Sequence, residues 1–497
     1  MTIFTLILYI AIAAVVLTAL TGVFYKREKN WLMTFLQHFC GSLFIFSGYV
    51  KAVDPLGTAF KMEQYFAEFF YTFKETSFSF LAPMFPWFSQ HSIAFSVFMI
   101  VFEIVLGAML LLGSRPRLTS WLFFLLVLFF TFLTGFTFLT GYVPSGVNFF
   151  EFGKWGPYVE TNMRVTDCGC FGDFLKLKPR ISFYKDLFLL MPSIYFLFKF
   201  RDMHQLFNAR VRTILVGITA LGFLVFCIRN FAWDEPVFDF RPFKAGTDVR
   251  TQKEYEMDQS NLANEVTAYK LTNKNTGQTV TIPVAQYMKE FKNYPKAEWD
   301  SEQVKDNPPY ETSKISEFEI SGPDGADIAE ELLAEEGYTF MVDAYKLITS
   351  GGKEKMTTTV MDTIYRTDTV KIENQDSFNL VKTIQEIKPR EVTREVNSFD
   401  EAYIKRFSDI LNPILEAAEK DGHKVIAVTA PNDPDVIEDF RHASQSAYPF
   451  YTADDLLLKT IQRSNPGLVL WKDGKIIQKW HINKMPGYEE IKAKYMQ

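Results

Sequence analysis

Few side chains in this chain are suited to chemistry. The four cysteines are Cys40, Cys168, Cys170 and Cys227, and two of them flank one glycine in Cys168-Gly169-Cys170-Phe171-Gly172-Asp173. A disulfide between residues two apart closes a very small ring, eased by the glycine, and such a bond is strained and readily reduced. The pair therefore reads as a thiol–disulfide couple that takes up or passes on electrons. Two other readings stand beside it: a clip that shapes its loop, and a pair of thiols binding metal with other ligands, for which two cysteines are a weaker signal than a four-ligand zinc signature. Cys227 falls near the outer end of an apolar helix, at about the level of this loop, and could exchange with Cys168 or Cys170. Cys40, in mid-helix, reads as a small packing residue.

Glu103 lies in the middle of an apolar run, where an ionised carboxylate is expensive and should be protonated, paired or facing a cavity. Counting about 1.5 Å per residue from the inner helix ends puts it at the depth of Cys40 to Ser42, one turn from His38. The two could form a proton path or line a quinone pocket; a helix-to-helix hydrogen bond that fixes packing is the alternative. Lys51, Asp54 and Pro55 close a helix, the lysine snorkelling to the outer interface and the Asp-Pro step stopping the helix, an account that needs no activity.

The elements that must hold these residues divide the chain in two. Residues 1–230 carry 19 Lys and Arg against 12 Asp and Glu and are dominated by Phe- and Leu-rich runs, leaving 33 against 46 for the rest. A basic membrane part and an acidic soluble part follow, and no basic patch points to nucleic acid. A helix needs about 20 mostly apolar residues to cross a bilayer with its backbone bonds satisfied internally. Six segments qualify: Thr2 to Tyr25, Trp31 to Val50, His91 to Gly113, Leu118 to Gly141, Phe183 to Phe200 (interrupted by Pro192) and Val211 to Ile228. The first lacks a positive n-region and a cleavage site and reads as a retained helix. Lys26, Arg27 and Lys29, then Arg115 and Arg117, then Lys199, Arg201, Arg210 and Arg212 make alternate loops basic. The positive-inside rule places those loops in the cytoplasm and both chain ends outside, with Lys176, Lys178 and Arg180 counting against it. Between the second and third segments Phe60, Tyr65, Phe66, Phe69, Phe70 and Phe73 gather on one side of a helix, either lying in the interface or packing on the core.

With these residues in view, the membrane part resembles the DoxX and MauE (methylamine utilisation) family. Phe46-Ser47-Gly48 with Lys51 and Asp54-Pro55, Glu103-Ile104-Val105-Leu106-Gly107, and Cys168-Gly169-Cys170-Phe171-Gly172 carry the resemblance. It implies a four-helix core matching the second to fifth segments, a bacterial inner membrane with the outside as periplasm, and quinone-linked or thiol-linked redox work or maturation of envelope proteins. The first and sixth helices and the soluble half depart from it.

Beyond residue 230 the sequence predicts a connecting subdomain over 231–310, with a hairpin of Val266 to Thr272 and Gln278 to Ile282 and a linker from Asp300 to Pro309. Residues 311–497 then alternate strand and helix: strand Glu317 to Ile320, helix Ala326 to Glu335, strand Tyr338 to Leu347, a polar insertion at about 350–395 with strand-like Thr357 to Arg366, helix Ser398 to Asp421, strand Lys424 to Thr429 and helix Pro434 to Ser444. The ending, Asn465-Pro466, strand Gly467 to Trp471, a turn, strand Ile476 to Trp480 and a helix from Gly487, resembles the thioredoxin-like fold, with Pro466 in the place of its characteristic proline. Where that family keeps Cys-x-x-Cys stands Ile348-Thr349-Ser350-Gly351-Gly352, and the soluble half has no cysteine. The expected architecture is a six-helix membrane bundle followed by an α/β thioredoxin-like domain unable to exchange thiols itself. The bundle would support thiol–disulfide chemistry at Cys168 and Cys170 and the outer domain would hold a periplasmic or membrane protein partner; a non-enzymatic scaffold of an envelope complex is the alternative.

Overall fold

The computed structural model describes residues 2–26, 30–165, 169–308, 310–371 and 378–496. Two compact units divide at Lys244 and Ala245.

The first unit is helical: α1 (Ile3–Leu20), α2 (Trp31–Val53), α3 (Pro55–Lys74), α4 (Met84–Gln90), α5 (Ser92–Leu112), α6 (Pro116–Thr140), α7 (Pro179–Lys199) and α8 (Ala209–Ile228). Polar and cyclic residues set the boundaries. The Asn30 and Asn208 side chains accept from Met33 N and Val211 N at the starts of α2 and α8. Asp54 ends α2 and, with Pro55 at the first helical position, caps α3 by accepting from Gly57 N. Five helical stretches are long and apolar enough to cross a membrane: Ile3–Tyr25, Ser92–Leu112, Pro116–Thr140, Pro179–Asp202 and Ala209–Trp233. At 23 residues α2 is as long, but it carries Gln37, His38 and Lys51 and is not among the five. The fifth expected segment starts at Pro179 and not at Phe183, because Pro179 supplies an N1 residue ahead of the apolar run.

Glycines bring α2 and α5 together. A Cβ on Gly41 would lie 2.9 Å from the Gly107 carbonyl oxygen, and one on Gly107 2.8 Å from that of Gly41, so only hydrogen fits and the backbones nearly touch. The aromatic helix α3 packs on the bundle: Phe69 meets Phe136 at 5.0 Å and Thr137 Oγ1 donates to the Tyr65 hydroxyl at 3.0 Å.

In the second unit α9 (Val249–Asn264) precedes a three-stranded sheet of order β2-β1-β3, with β1 (Ala268–Asn273), β2 (Thr279–Pro283) and β3 (Trp299–Val304); α10 (Val284–Glu290) joins β2 to β3. The expected hairpin is there. The expected linker from Asp300 is not, since β3 pairs with β1 from Trp299 opposite Asn273 to Val304 opposite Ala268. Its polar sequence hid a strand that buries little on either face.

The remainder centres on a five-stranded mixed sheet. Chain order is α11 (Ala329–Ala334), β4 (Tyr338–Ala344), β5 (Thr349–Lys371), β6 (Phe378–Phe399), α12 (Glu401–Lys405), α13 (Asn412–Lys420), β7 (Lys424–Thr429), α14 (Pro434–Ser444), β8 (Phe450–Thr452), α15 (Asp455–Ile461), β9 (Gly467–Lys472), β10 (Lys475–His481) and α16 (Tyr488–Tyr495). The sheet order is β10-β9-β4-β7-β8; β4 pairs parallel with β7 and β7 with β8, while β9 is antiparallel to both its neighbours, β4 and β10. Alternate residues of β4 serve the two faces: Phe340, Val342 and Ala344 join a core with Phe407, Leu415, Phe440, Leu470 and Ile491, while on the other face Trp471 of β9 meets Phe318 at 5.5 Å. The Asn465–Pro466 peptide ahead of β9 is cis.

Three expectations change here. Residues 317–320 form no strand: Phe318 packs on Trp471, and the chain pairs with the sheet only at the next residue, through a bridge from Ser321 to Thr452. The first helix shortens to Ala329–Ala334, because Asp327 binds the backbone of Ile320 and Ala329 and shapes a turn instead. The polar insertion is a two-stranded antiparallel hairpin, β5 with β6, paired from Thr349–Phe399 to Lys371–Phe378. Its root is held where Asp439 of α14 accepts from the Asn397 backbone and side-chain amides at 2.8 and 2.9 Å.

Candidate functional site

A small cavity of about 90 Å³, mostly apolar in its lining, lies inside the helical unit. Ser47 and Lys51 of α2, Lys61 and Tyr65 of α3, Glu103 of α5, Thr134 of α6, Cys170 ahead of α7, and Lys185 and Asp186 of α7 line it among apolar side chains such as Phe44, Phe130 and Phe171. Two ion pairs give it its character. Lys51 and Glu103, 6% and 3% exposed, are bonded directly. Lys185 Nζ is 2.6 Å from Asp186 Oδ1, and Thr134 Oγ1 donates to Asp186 Oδ2 at 3.0 Å. Each lysine also faces a ring, Lys51 5.5 Å from the Phe130 centroid and Lys185 5.9 Å from that of Phe171. Desolvating four charges is costly, and pairing offsets that cost only with close geometry and further hydrogen bonds. The Lys185–Asp186 pair has the further hydrogen bond from Thr134, and the Lys51–Glu103 pair has the Phe130 ring beside its lysine.

Cys170 is brought to the same space by its backbone. Ser47 Oγ donates to the Cys170 carbonyl at 2.8 Å, pinning the loop to α2, and Gly169, at φ +56, turns the chain beside the Lys61 stem. Burial pushes the Cys170 thiol above its ordinary value, with Lys185 and Lys51 opposing and Asp186 and Glu103 adding to the rise. It stands as a thiol, with two carboxylates lining the same cavity. Cys168 lies outside the described residues.

Several expectations about these residues are corrected. Lys51 does not snorkel: α2 runs on to Val53, so Lys51 is still within the bundle and turns inward to Glu103. Glu103 does not sit beside His38. The contacts of Gly41 with Gly107 and Gly48 with Ile104 set the antiparallel register so that Glu103 reaches the level of Lys51. Counting from loop ends assumed that both helices begin at one depth. His38 instead lies 3.0 Å from Thr21 Oγ1 and stacks on His204 at 4.6 Å. Cys227 is fully buried in a cluster with Ala52, Val97, Ile100 and Ile104; Ile100 also walls the cavity, but Cys227 does not line it. Cys40 is buried in the bundle core. Pro466 belongs to the other unit, where Arg406 donates to the Asn465 carbonyl at 2.9 Å and Asn465 Nδ2 to the Lys346 carbonyl at 2.7 Å.

Sequence reasoning missed Lys185, Asp186, Lys61 and His204. The first two carried a usable signal, an adjacent pair of opposite charges inside an apolar helix, by the rule that singled out Glu103. Lys61 and His204 sit in stretches polar enough to hide them.

The arrangement defines a membrane-type helical bundle with a charge-paired cavity reached by a cysteine. Comparison with family models, with curated proteins and with solved structures finds no match to the chain.

Proposed function

We propose that the helical unit carries out thiol–disulfide chemistry within a membrane, with Cys168 and Cys170 as the exchanging pair. The observation that carries this is that Cys170 lines the cavity that also holds both ion pairs. On oxidation the two thiols form one S–S bond and release two electrons and two protons; a quinone that takes up both becomes a quinol. Glu103 and Asp186 supply proton acceptors, and Lys51, Tyr65 and Thr134 supply donors for a quinone oxygen. The Ser47-Gly48, Lys51, Asp54 and Glu103 stretches that resemble DoxX and MauE proteins are those that build the cavity wall and its helix ends. In this reading α2 crosses with the five apolar helices, its polar residues turned inward. The membrane is a bacterial inner one, and the N-terminus and second unit are periplasmic. The sheet order and Pro466 ahead of β9 support a thioredoxin-like second unit, which holds a protein partner and exchanges no thiols, the chain having no cysteine after Cys227.

The test is maleimide trapping in intact membranes, with reduced protein exposed to a short-chain ubiquinone. Wild type should lose two reactive thiols per quinol formed, and Cys168→Ser or Cys170→Ser should abolish both changes. Inert cysteines, with a double variant that functions normally, would sink the proposal. The cysteine-free second unit favours one rival, a membrane-anchored scaffold of an envelope complex. Copurification of the same partners with the double variant would support that rival.

A further inference from the structure

Away from the cavity, the ends of α6 and α7 form an open pocket of about 910 Å³ lined by Arg115, Arg117, Arg201 and Gln205 with Trp121 and Phe200. Its frame is rigid. The Leu206 amide donates to the Leu112 carbonyl at 3.0 Å, and Gln205 Oε1 is engaged by Arg212 Nη2 at 2.9 Å. Arg115 and Arg117 have no carboxylate partner among the described residues, and the positive end of the 25-residue helix α6, which starts at Pro116, adds to their charge. The pocket is therefore a concentration of positive potential with a tryptophan at its lip, at the end of helices apolar enough to span a bilayer.

From the pocket an apolar stripe runs down α6. Leu118, Trp121, Leu125, Phe129 and Phe132, spaced three or four residues apart and so on one face, are all exposed. A free phosphate would use the arginines and leave this stripe bare. We propose that the pocket binds the headgroup of an anionic phospholipid, its phosphate held by Arg115, Arg117 and Arg201 and an acyl chain lying along the stripe. The guanidinium forks match phosphate oxygens bidentately, and the tryptophan suits the headgroup level.

The experiment uses the full chain in detergent. Retention of dioleoylphosphatidylglycerol and of dioleoylphosphatidylcholine is measured by native mass spectrometry, with inorganic phosphate as competitor. Phosphatidylglycerol should be retained in preference to phosphatidylcholine, and millimolar phosphate should not displace it. Arg115→Gln/Arg117→Gln should weaken retention about 30-fold, whereas Arg210→Gln, on the same end but outside the pocket, should leave it unchanged. Arg201→Gln, a single change, decides the matter if the double variant does not fold, with a loss of about fivefold expected. Equal retention of the two lipids, displacement by phosphate, or indifference to both pocket variants would each overturn the proposal.

Discussion

Two sets of buried polar side chains, one in each unit, serve opposite ends. In the helical unit, charges pair with one another around a space: Lys51 with Glu103 and Lys185 with Asp186. In the sheet unit, buried polar groups close gaps in the main chain. Asn412 donates to the Ser444 and Gln445 carbonyls and accepts from the Tyr448 hydroxyl, Gln462 donates to the Trp480 carbonyl at 2.8 Å, and Asp439 holds the root of the hairpin. The difference teaches that burial of a polar residue does not itself mark a site. What matters is whether its partner is backbone, which is consumed in holding the fold, or another charge facing room for a third group.

Breaking one ion pair tests the first half of that contrast most severely. Lys51→Ala should destabilise the helical unit by about 3–5 kcal/mol in thermal unfolding in detergent, because Glu103 is left buried and unpaired. Lys51→Met with Glu103→Leu should recover most of that loss while still abolishing thiol exchange. A neutral single variant would mean that the two residues do not act as a pair. The stitching role predicts a smaller and more local effect. Asp439→Ala should cost about 2–3 kcal/mol by removing two hydrogen bonds to a charged acceptor, and limited proteolysis should then cut β5 or β6 before the rest of the unit. Smallest is an acid effect at the surface of the sheet unit. Hydrogen bonds from Lys492 and Tyr488 hold the Asp421 carboxyl below its ordinary value of 3.8. A depressed carboxylate adds stability that is complete above its unfolded value and is lost as pH falls through the folded one. Asp421→Asn should therefore flatten the decline in stability below pH 3.8, read by acid titration of circular dichroism, with little change near neutrality.

Much of this was legible in the residues, and the failures have physical reasons. Strand Lys424–Thr429 and helix Pro434–Ser444 were readable to their ends, since a buried β-branched run and a capped amphipathic helix each satisfy a local rule. Cys170 and Glu103 were legible as unusual chemistry, and both line the cavity. The pairing of Glu103 with Lys51 was not, because the register of α2 against α5 is set by glycine contacts far apart in sequence. Hairpin β5–β6 was legible only in part: Thr357 to Arg366 reads as strand-like and lies within β5, but with exposed side chains on both faces, Glu354 and Arg390 on one and Lys355 and Glu391 on the other, no burial pattern marks its length or its partner strand.

The near contact of Gly41 and Gly107 also limits how the length of the chain can vary. Between Gly41 and Lys51 α2 acts as a ruler, and each residue added there swings Lys51 by about 100° and lifts it about 1.5 Å. Past Asp54 that constraint ends, since a helix restarts at Pro55. Insertions and deletions should thus be tolerated in the loop between α3 and α4 and excluded from the ten-residue interval from Gly41 to Lys51, a pattern of gaps by which relatives sharing the cavity could be told from those sharing only a bundle.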